Sequence, residues 1–356
     1  MSGAAAAPAH GRFVDHLRAD LRRIRLLGGE SGRPWASAVA VVAAVLLALS
    51  LHMQDPWWAG ISAWVCMQPS AHASLVRAAW RMTASIAGAA LGCVAIALLA
   101  DQHLAMHVFL FVLGVVAHRQ QLTSRYSYAW LLSSVTALIV IYSGLGNPAS
   151  TFEVAWFRAV EVALGVAVAA VMAVLLLPER SAPPPDPVPP PEEALLRSSL
   201  TTGLTLSVLP ALWSTFDLPA LATVFSSVVL LMQPARDAMR WKALNRFLGC
   251  LIGGALGILL LGLVNGAFVP WLLGFLLALV AVAHVHLGGS PVAYAGTQAG
   301  FGLIVAMVQG QGPSDTMAPA LDRLFGIGAG LLVLEVMSVL VDEAAWLLRR
   351  ARLRRR

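Results

Sequence analysis

The chain has 356 residues, of which 58% are hydrophobic and only 12% charged, with a net charge of +6 and a mean hydropathy of +0.76. A soluble protein carries roughly 25% charged residues, and 42 charges cannot cover a water-soluble body of this length. The composition excludes an ordinary soluble enzyme and sets the apolar residues against a bilayer.

The first 34 residues hold no compact apolar core followed by a small-residue cleavage site, so no cleaved signal peptide is expected. Phe13, Leu17, Leu21, Ile24 and Leu27 recur at helical spacing, with Arg18, Arg22, Arg23 and Arg25 between them. That pattern suits a short amphipathic helix on an anionic cytoplasmic surface, with a solvated basic tail as the alternative.

Apolar helices are expected near 36–53, 57–69, 81–100, 104–118, 127–145 and 154–177. A second set follows near 197–215, 218–233, 245–263, 267–286, 291–310 and 321–341. The strongest signal is the 68-residue stretch between Arg246 and Asp315, which has no Asp, Glu, Lys or Arg. The segments 57–69 and 104–118 are short and read as tilted, re-entrant or continued into their neighbours. The fold class is therefore an all-α polytopic membrane protein of about twelve spans.

The charges orient it. Six Arg precede the first span and six follow the last, so both ends read as cytoplasmic. The loops then facing inward carry Arg77, Arg119, Arg125, Arg180, Arg236, Arg240 and Lys242. Those facing outward carry Asp55, Asp101, Glu153, Asp217 and Asp315, without Lys or Arg. The sequence thus divides into a basic amphipathic segment (1–34), a first six-helix set (35–178), a Pro-rich cytoplasmic linker (179–196), a second six-helix set (197–345) and a basic tail (346–356). Seven prolines between Pro183 and Pro191 mark the linker as an extended chain.

The two sets repeat each other. At an offset of 165, Met67-Gln68-Pro69 meets Met232-Gln233-Pro234, Arg77 meets Lys242, and Arg81 meets Arg246. Gly88, Gly92, Arg158 and Gly165 meet Gly253, Gly257, Arg323 and Gly330. At 166, Ala117-His118 meets Ala283-His284, and Tyr128-Ala129 meets Tyr294-Ala295. Two units with an even number of spans share one membrane orientation and are parallel repeats, a plan that encloses a path at their interface.

These residues also carry a family likeness. "DPWWAGISAWVCMQPS", "RMTASIAGAALG" and "WFRAVEVALGVAVAAVMAVLLLP" in the first set, with "RFLGCLIGGALG", "AYAGTQAGFG" and "LDRLFGIGAGLL" in the second, resemble the fusaric acid resistance protein family over roughly residues 35–345. Its relatives include the inner-membrane component of aromatic acid exporters. The resemblance implies a multi-pass protein of the bacterial inner membrane that exports aromatic or related organic acids. It also implies use of the proton gradient and, in some members, a periplasmic adaptor. Larger members place a sizeable soluble region between the two sets, where this chain has about 18 residues of linker.

Ionisable groups inside spans are costly and form the short list of functional candidates. Arg158 and Glu161 share a helix face, and Asp322 and Arg323 open the last span with Glu335 about three turns further in. In a transporting reading, Arg158 and Arg323 attract a carboxylate near the outward side, while Glu161 and Glu335 carry protons. In a structural reading, the Arg groups pair with Glu161 and Asp322 or reach headgroups.

Arg81 and Arg246 meet a cytoplasmic anion or anchor helix ends. The small residues after them (Ala84, Gly88 and Gly92; Gly249, Gly253 and Gly257) let helices approach closely. His118 and His284 form a relay or stabilise helix ends. Tyr128, Tyr294, Thr297 and Gln298 offer aromatic and hydrogen-bonding contacts to an aromatic acid. Trp35, Trp57 and Trp58 read as interfacial anchors, and Cys66, Cys93 and Cys250 as isolated packing residues.

No HExxH, GxSxG, Walker or clustered Cys/His pattern is present, so neither enzyme chemistry nor a metal or cofactor is expected. The expected partners are a small organic acid, protons and anionic lipids, with an adaptor protein and a homo-oligomer left open. The terminal "RRARLRRR" suits headgroups rather than nucleic acid. A passive anion channel, an uptake carrier and a non-transporting scaffold remain the competing functions.

Overall fold

The computed structural model describes residues 9–22, 32–179, 188–216, 219–264, 266–310, 312–313 and 316–354. Ile24 and Leu27, linker residues 180–187, the acidic loop residues Asp217 and Asp315, and Arg355 and Arg356 lie outside the described residues.

The elements run α1 (Ala9–Leu21), α2 (Gly32–Ser50), α3 (Trp57–Cys66), α4 (Ala71–Leu99), α5 (His103–Thr123), α6 (Ser127–Gly146) and α7 (Thr151–Leu176). They continue α8 (Glu192–Phe216), α9 (Leu221–Leu231), α10 (Arg236–Val264), α11 (Phe268–His286), α12 (Ala293–Met307) and α13 (Ala318–Arg354). A two-residue hairpin, β1 (Val308–Gln309) against β2 (Gly312–Pro313), precedes α13.

Each expected apolar segment forms a helix. Eight of them (α2, α4, α6, α7, α8, α10, α11 and α13) have the length and hydropathy to cross a membrane. Helices α3, α9 and α12 have only 10, 11 and 15 residues, and at ~1.5 Å per residue the helical part of each is shorter than a ~30 Å hydrocarbon core. The segment expected at 104–118 is instead the 21-residue α5, whose last turns carry the polar run His118-Arg119-Gln120-Gln121.

A shared sequence feature ends α3 and α9. Both C-caps are the Met of Met-Gln-Pro, with extended ψ angles of 110° at Met67 and 130° at Met232. Proline removes a helical donor and biases the preceding residue away from helix, so each chain must turn there before α4 or α10 begins.

Two compact units form, and they interleave the linear halves. One takes residues 1–82, 160–183 and 241–324, and the other 83–159, 184–240 and 325–356. The long helices α4, α7, α10 and α13 each contribute to both, so the repeat boundaries seen in sequence are not the boundaries of packing.

In the first unit α11 packs on α2 and α12, and α3 on α2 and α12, around Val41, Val45, Trp64, Trp271, Phe275 and Leu303. In the second, α5 packs on α6 and α8, and α9 on α6 and α8. Small residues set the spacing: a Cβ on Gly253 would lie 1.9 Å from the Ala299 carbonyl oxygen, and one on Gly88 2.3 Å from that of Ser133. Gly165 abuts Ala59 of α3, and Gly330, its match at offset 165, abuts Val224 and Ser227 of α9.

The N-terminal helix departs from expectation. Phe13, expected to face lipid, is 3% exposed among Val285, Val292 and Ala295, with its ring edge-on to Trp241 at 6.4 Å. Asp20 is also buried and accepts a hydrogen bond from the Ser290 hydroxyl. An apolar recess on α10–α12 thus takes the aromatic side chain that a membrane surface was expected to take. At the other end, α13 stays helical through Arg354, so most of the expected basic tail is its last turns. Leu98, Val174, Leu263 and Leu332 are exposed along the long helices, as lipid-facing surface requires.

Candidate functional site

Two helix faces in the first unit meet. Lys242, Arg246 and Cys250 follow one another at i, i+4 and i+8 on α10, and Tyr294, Gln298 and Phe301 at i, i+4 and i+7 on α12. Arg246 is 1% exposed and its Nη1 donates to Gln298 Oε1 at 3.0 Å. Its Nε makes no hydrogen bond.

Cys250 Sγ lies 3.6 Å from the same Gln298 oxygen, and Arg323 Nε donates to Cys250 Sγ at 3.4 Å. The Arg323 guanidinium stands 5.4 Å from the Phe301 ring centroid, and Lys242 Nζ 5.7 Å from that of Tyr294. Both separations fall within cation–π range.

No ion pair among the described residues involves Lys242, Arg246 or Arg323. Removing a guanidinium from water without a counter-charge costs several kcal/mol. Three cations, an amide and two aromatic faces, with no carboxylate among them, suit an anion with an aromatic body.

Arg323 sits deeper than expected. It is the sixth residue of α13, yet it reaches Cys250, the fifteenth of the 29 residues of α10. Ala320, one turn before Arg323, already lies beside Gly254.

A supporting layer holds α12 to α3 and α11. Trp64 Nε1 donates to the Thr297 carbonyl at 3.2 Å, and its ring stacks on His286 at 4.8 Å. The Thr297 hydroxyl donates to Ala293 O at 3.2 Å and lies 2.8 Å from His286 Nδ1. A Cβ on Gly300 would meet the Trp64 indole at 2.3 Å, so only glycine fits there.

The other candidates are placed as follows. Arg81, 6% exposed, donates from Nη2 to Ser62 Oγ at 3.0 Å, and its Nε makes no hydrogen bond. Glu161 is 1% exposed and accepts the Asp55 backbone N–H at 2.7 Å. Arg158 is buried but belongs to the second unit, whereas Arg323 belongs to the first. His118 is fully buried, 3.2 Å from Ser198 Oγ, and His284 Nδ1 lies 2.8 Å from Val280 O on its own helix.

Tyr128 is half-buried at the start of α6, and Asp322 is exposed. Glu335, a candidate proton carrier within the last span, receives a 2.9 Å ion pair from Arg240. Of the sequence candidates, Arg246, Arg323, Tyr294 and Gln298 come together, with Thr297 behind them. Sequence reading passed over Lys242, Cys250, Phe301, Trp64 and His286 as site residues. The i, i+4 rows on α10 and α12 were the signal that could have found the first three.

Eight helices with the length and hydropathy to cross a membrane define a multi-pass membrane protein. Residues 37–185 match the fusaric acid resistance protein family and residues 206–337 the fusaric acid resistance protein-like family. The chain belongs to the fusaric acid resistance family, whose members are inner-membrane transporters and not enzymes. No curated protein and no solved structure matches it.

Proposed function

We propose that the chain exports small organic acids, aromatic ones foremost, at the expense of the proton gradient, with the Arg246 cluster binding the carboxylate. The observation that carries this reading is a fully buried Arg246 flanked by Lys242 and Arg323 without an acidic partner among the described residues. A guanidinium fork receives a planar carboxylate through two bonds, and the Tyr294 and Phe301 rings give an aromatic body its apolar contact. Fusaric acid, named in the family description, is itself an aromatic carboxylic acid.

Two parallel six-helix repeats with both ends in the cytoplasm go with this reading, α3, α9 and α12 completing their passes with the chain that follows each. Its support is the offset-165 match of sequence, the Met-Gln-Pro ends of α3 and α9, and the seating of Gly165 on α3 and Gly330 on α9. Short apolar helices at matching places in two halves also point to a substrate path beside them. Glu161 is the buried carboxylate to which the coupling proton is assigned. Arg81 serves as a second anion contact, and Arg158 the same role in the second unit.

Purified protein in liposomes, loaded with labelled benzoate, tests the reading. An imposed pH gradient is expected to drive benzoate against its own gradient, and Arg246→Ala to abolish this at normal membrane insertion. Anion current that ignores the pH gradient would instead identify a channel, and an absence of any movement would overturn transport of these acids.

A further inference from the structure

The second unit holds a cavity of about 220 Å³ where α8, the turn after α9, α10 and α13 meet. Arg197 and Arg236 line it, and both pair with one carboxylate, Asp342. The Arg197–Asp342 separation is 3.3 Å. Their side chains are 44% and 41% exposed, so the cavity opens to its surroundings with one positive charge in excess.

Gln233 and Ser338 also line it, as do Ser198 and Thr201. The Thr201 hydroxyl proton is engaged with Arg197 O, which leaves its oxygen as an acceptor, whereas the Ser198 hydroxyl donates to Leu195 O and already faces His118 Nε2 at 3.2 Å. The wall therefore offers two forked cations, one carboxylate and a hydroxyl acceptor. Leu196, Val339 and Leu340, next along α8 and α13, are exposed apolar side chains.

The matching junction of the first half has none of this. At offset 165 the counterparts of Arg197, Arg236 and Asp342 are Gly32, Ala71 and Leu177. That junction is closed by backbone bonds from Ala71 N–H to Pro178 O at 2.8 Å and His72 N–H to Glu179 O at 3.1 Å. The helix ends can therefore be joined without charge, and joining them does not account for the charges of the second junction.

We propose that this cavity binds the headgroup of an anionic phospholipid bearing hydroxyl groups, of the phosphatidylglycerol kind. Arg197 and Arg236 take the phosphate through their forks. Asp342 and Thr201 accept from the headgroup hydroxyls, and the acyl chains lie along Leu196, Val339 and Leu340. The volume lies below the ~300–1,000 Å³ of sites that enclose whole small molecules, as suits a headgroup with its chains outside. Basic pockets between membrane helices are a recurring place for such headgroups. The site is separate in position and in residues from the Arg246 cluster, and the inference does not depend on what that cluster carries.

The test is binding and thermal stabilisation of the full-length protein in nanodiscs of phosphatidylcholine, alone or doped with phosphatidylglycerol. A third arm adds inorganic phosphate to the phosphatidylcholine discs. Phosphatidylglycerol is expected to bind and raise the melting temperature while phosphate does neither. Arg197→Ala and Arg236→Ala should each weaken lipid binding about fivefold, and together more than tenfold. Asp342→Asn, which removes the competing charge but keeps an acceptor, should tighten it.

If all three substitutions weakened binding alike, the ion pairs would be a structural clamp and the lipid site would be wrong. Equal stabilisation by free phosphate would assign the cavity to a soluble anion, and no response to either would overturn the proposal.

Discussion

Arg81 and Arg246 hold the same register, each the eleventh residue of a 29-residue helix, and both belong to the first unit. Their surroundings differ. Arg81 meets a single hydroxyl, Ser62 on α3, whereas Arg246 meets the amide of Gln298 on α12 with Cys250, Arg323 and two aromatic rings beyond. The position answering Gln298 in the first half is Leu132, and that answering Cys250 is Ser85. Two arginines at one register thus differ through the residues on the helices facing them. A shared register fixes where a charge stands along a helix but not what it can bind.

Breaking the richer site should have the largest effect. Truncating a buried charged contact removes about 2–5 kcal/mol of binding, so Arg246→Ala should cut benzoate transport roughly a hundredfold or more. Arg81→Ala should cost under tenfold in the same flux assay, and equal losses would erase the distinction. Gln298→Leu imports the first-half residue and strands a buried donor, at a cost of about 1–3 kcal/mol. A tenfold or greater rise in KM with normal insertion is expected.

Gly300→Ala drives a methyl into the Trp64 indole, and overpacking of that kind costs about 1–3 kcal/mol. A lower melting temperature should accompany it, while alanine at Gly262, which has nothing within 4 Å of its would-be Cβ, should leave melting unchanged. The smallest effect belongs to Glu335→Gln. Its partner Arg240 is largely exposed, so gradient-driven transport should stay within about twofold. A loss of coupling there, with downhill exchange intact, would move the proton pathway from Glu161 to Glu335.

Much of this molecule was legible in the chain. Each expected apolar segment is a helix, because long uncharged runs have one way to satisfy their backbone in lipid. The stops at Met67 and Met232 were written in the following Gln-Pro. Arg246, Gln298 and Tyr294 were candidates from their types, but their convergence was not visible, since α10 and α12 touch through a glycine seam that spacing alone does not pair with a partner. Phe13 was misplaced for a related reason: an amphipathic stripe fits lipid and a protein recess equally well, and only the recess of Val285, Val292 and Ala295 decides between them.

By itself the sequence determined the membrane class, the helices and the family, all of which follow from local hydropathy, prolines and short motifs. Tertiary structure decided which helices share a unit, and that Glu335 is paired while Arg246 has no acidic partner among the described residues. The physical reason is common to both. Hydropathy and backbone stops act along the chain, whereas the neutralisation of a buried charge depends on groups brought from helices tens of residues away.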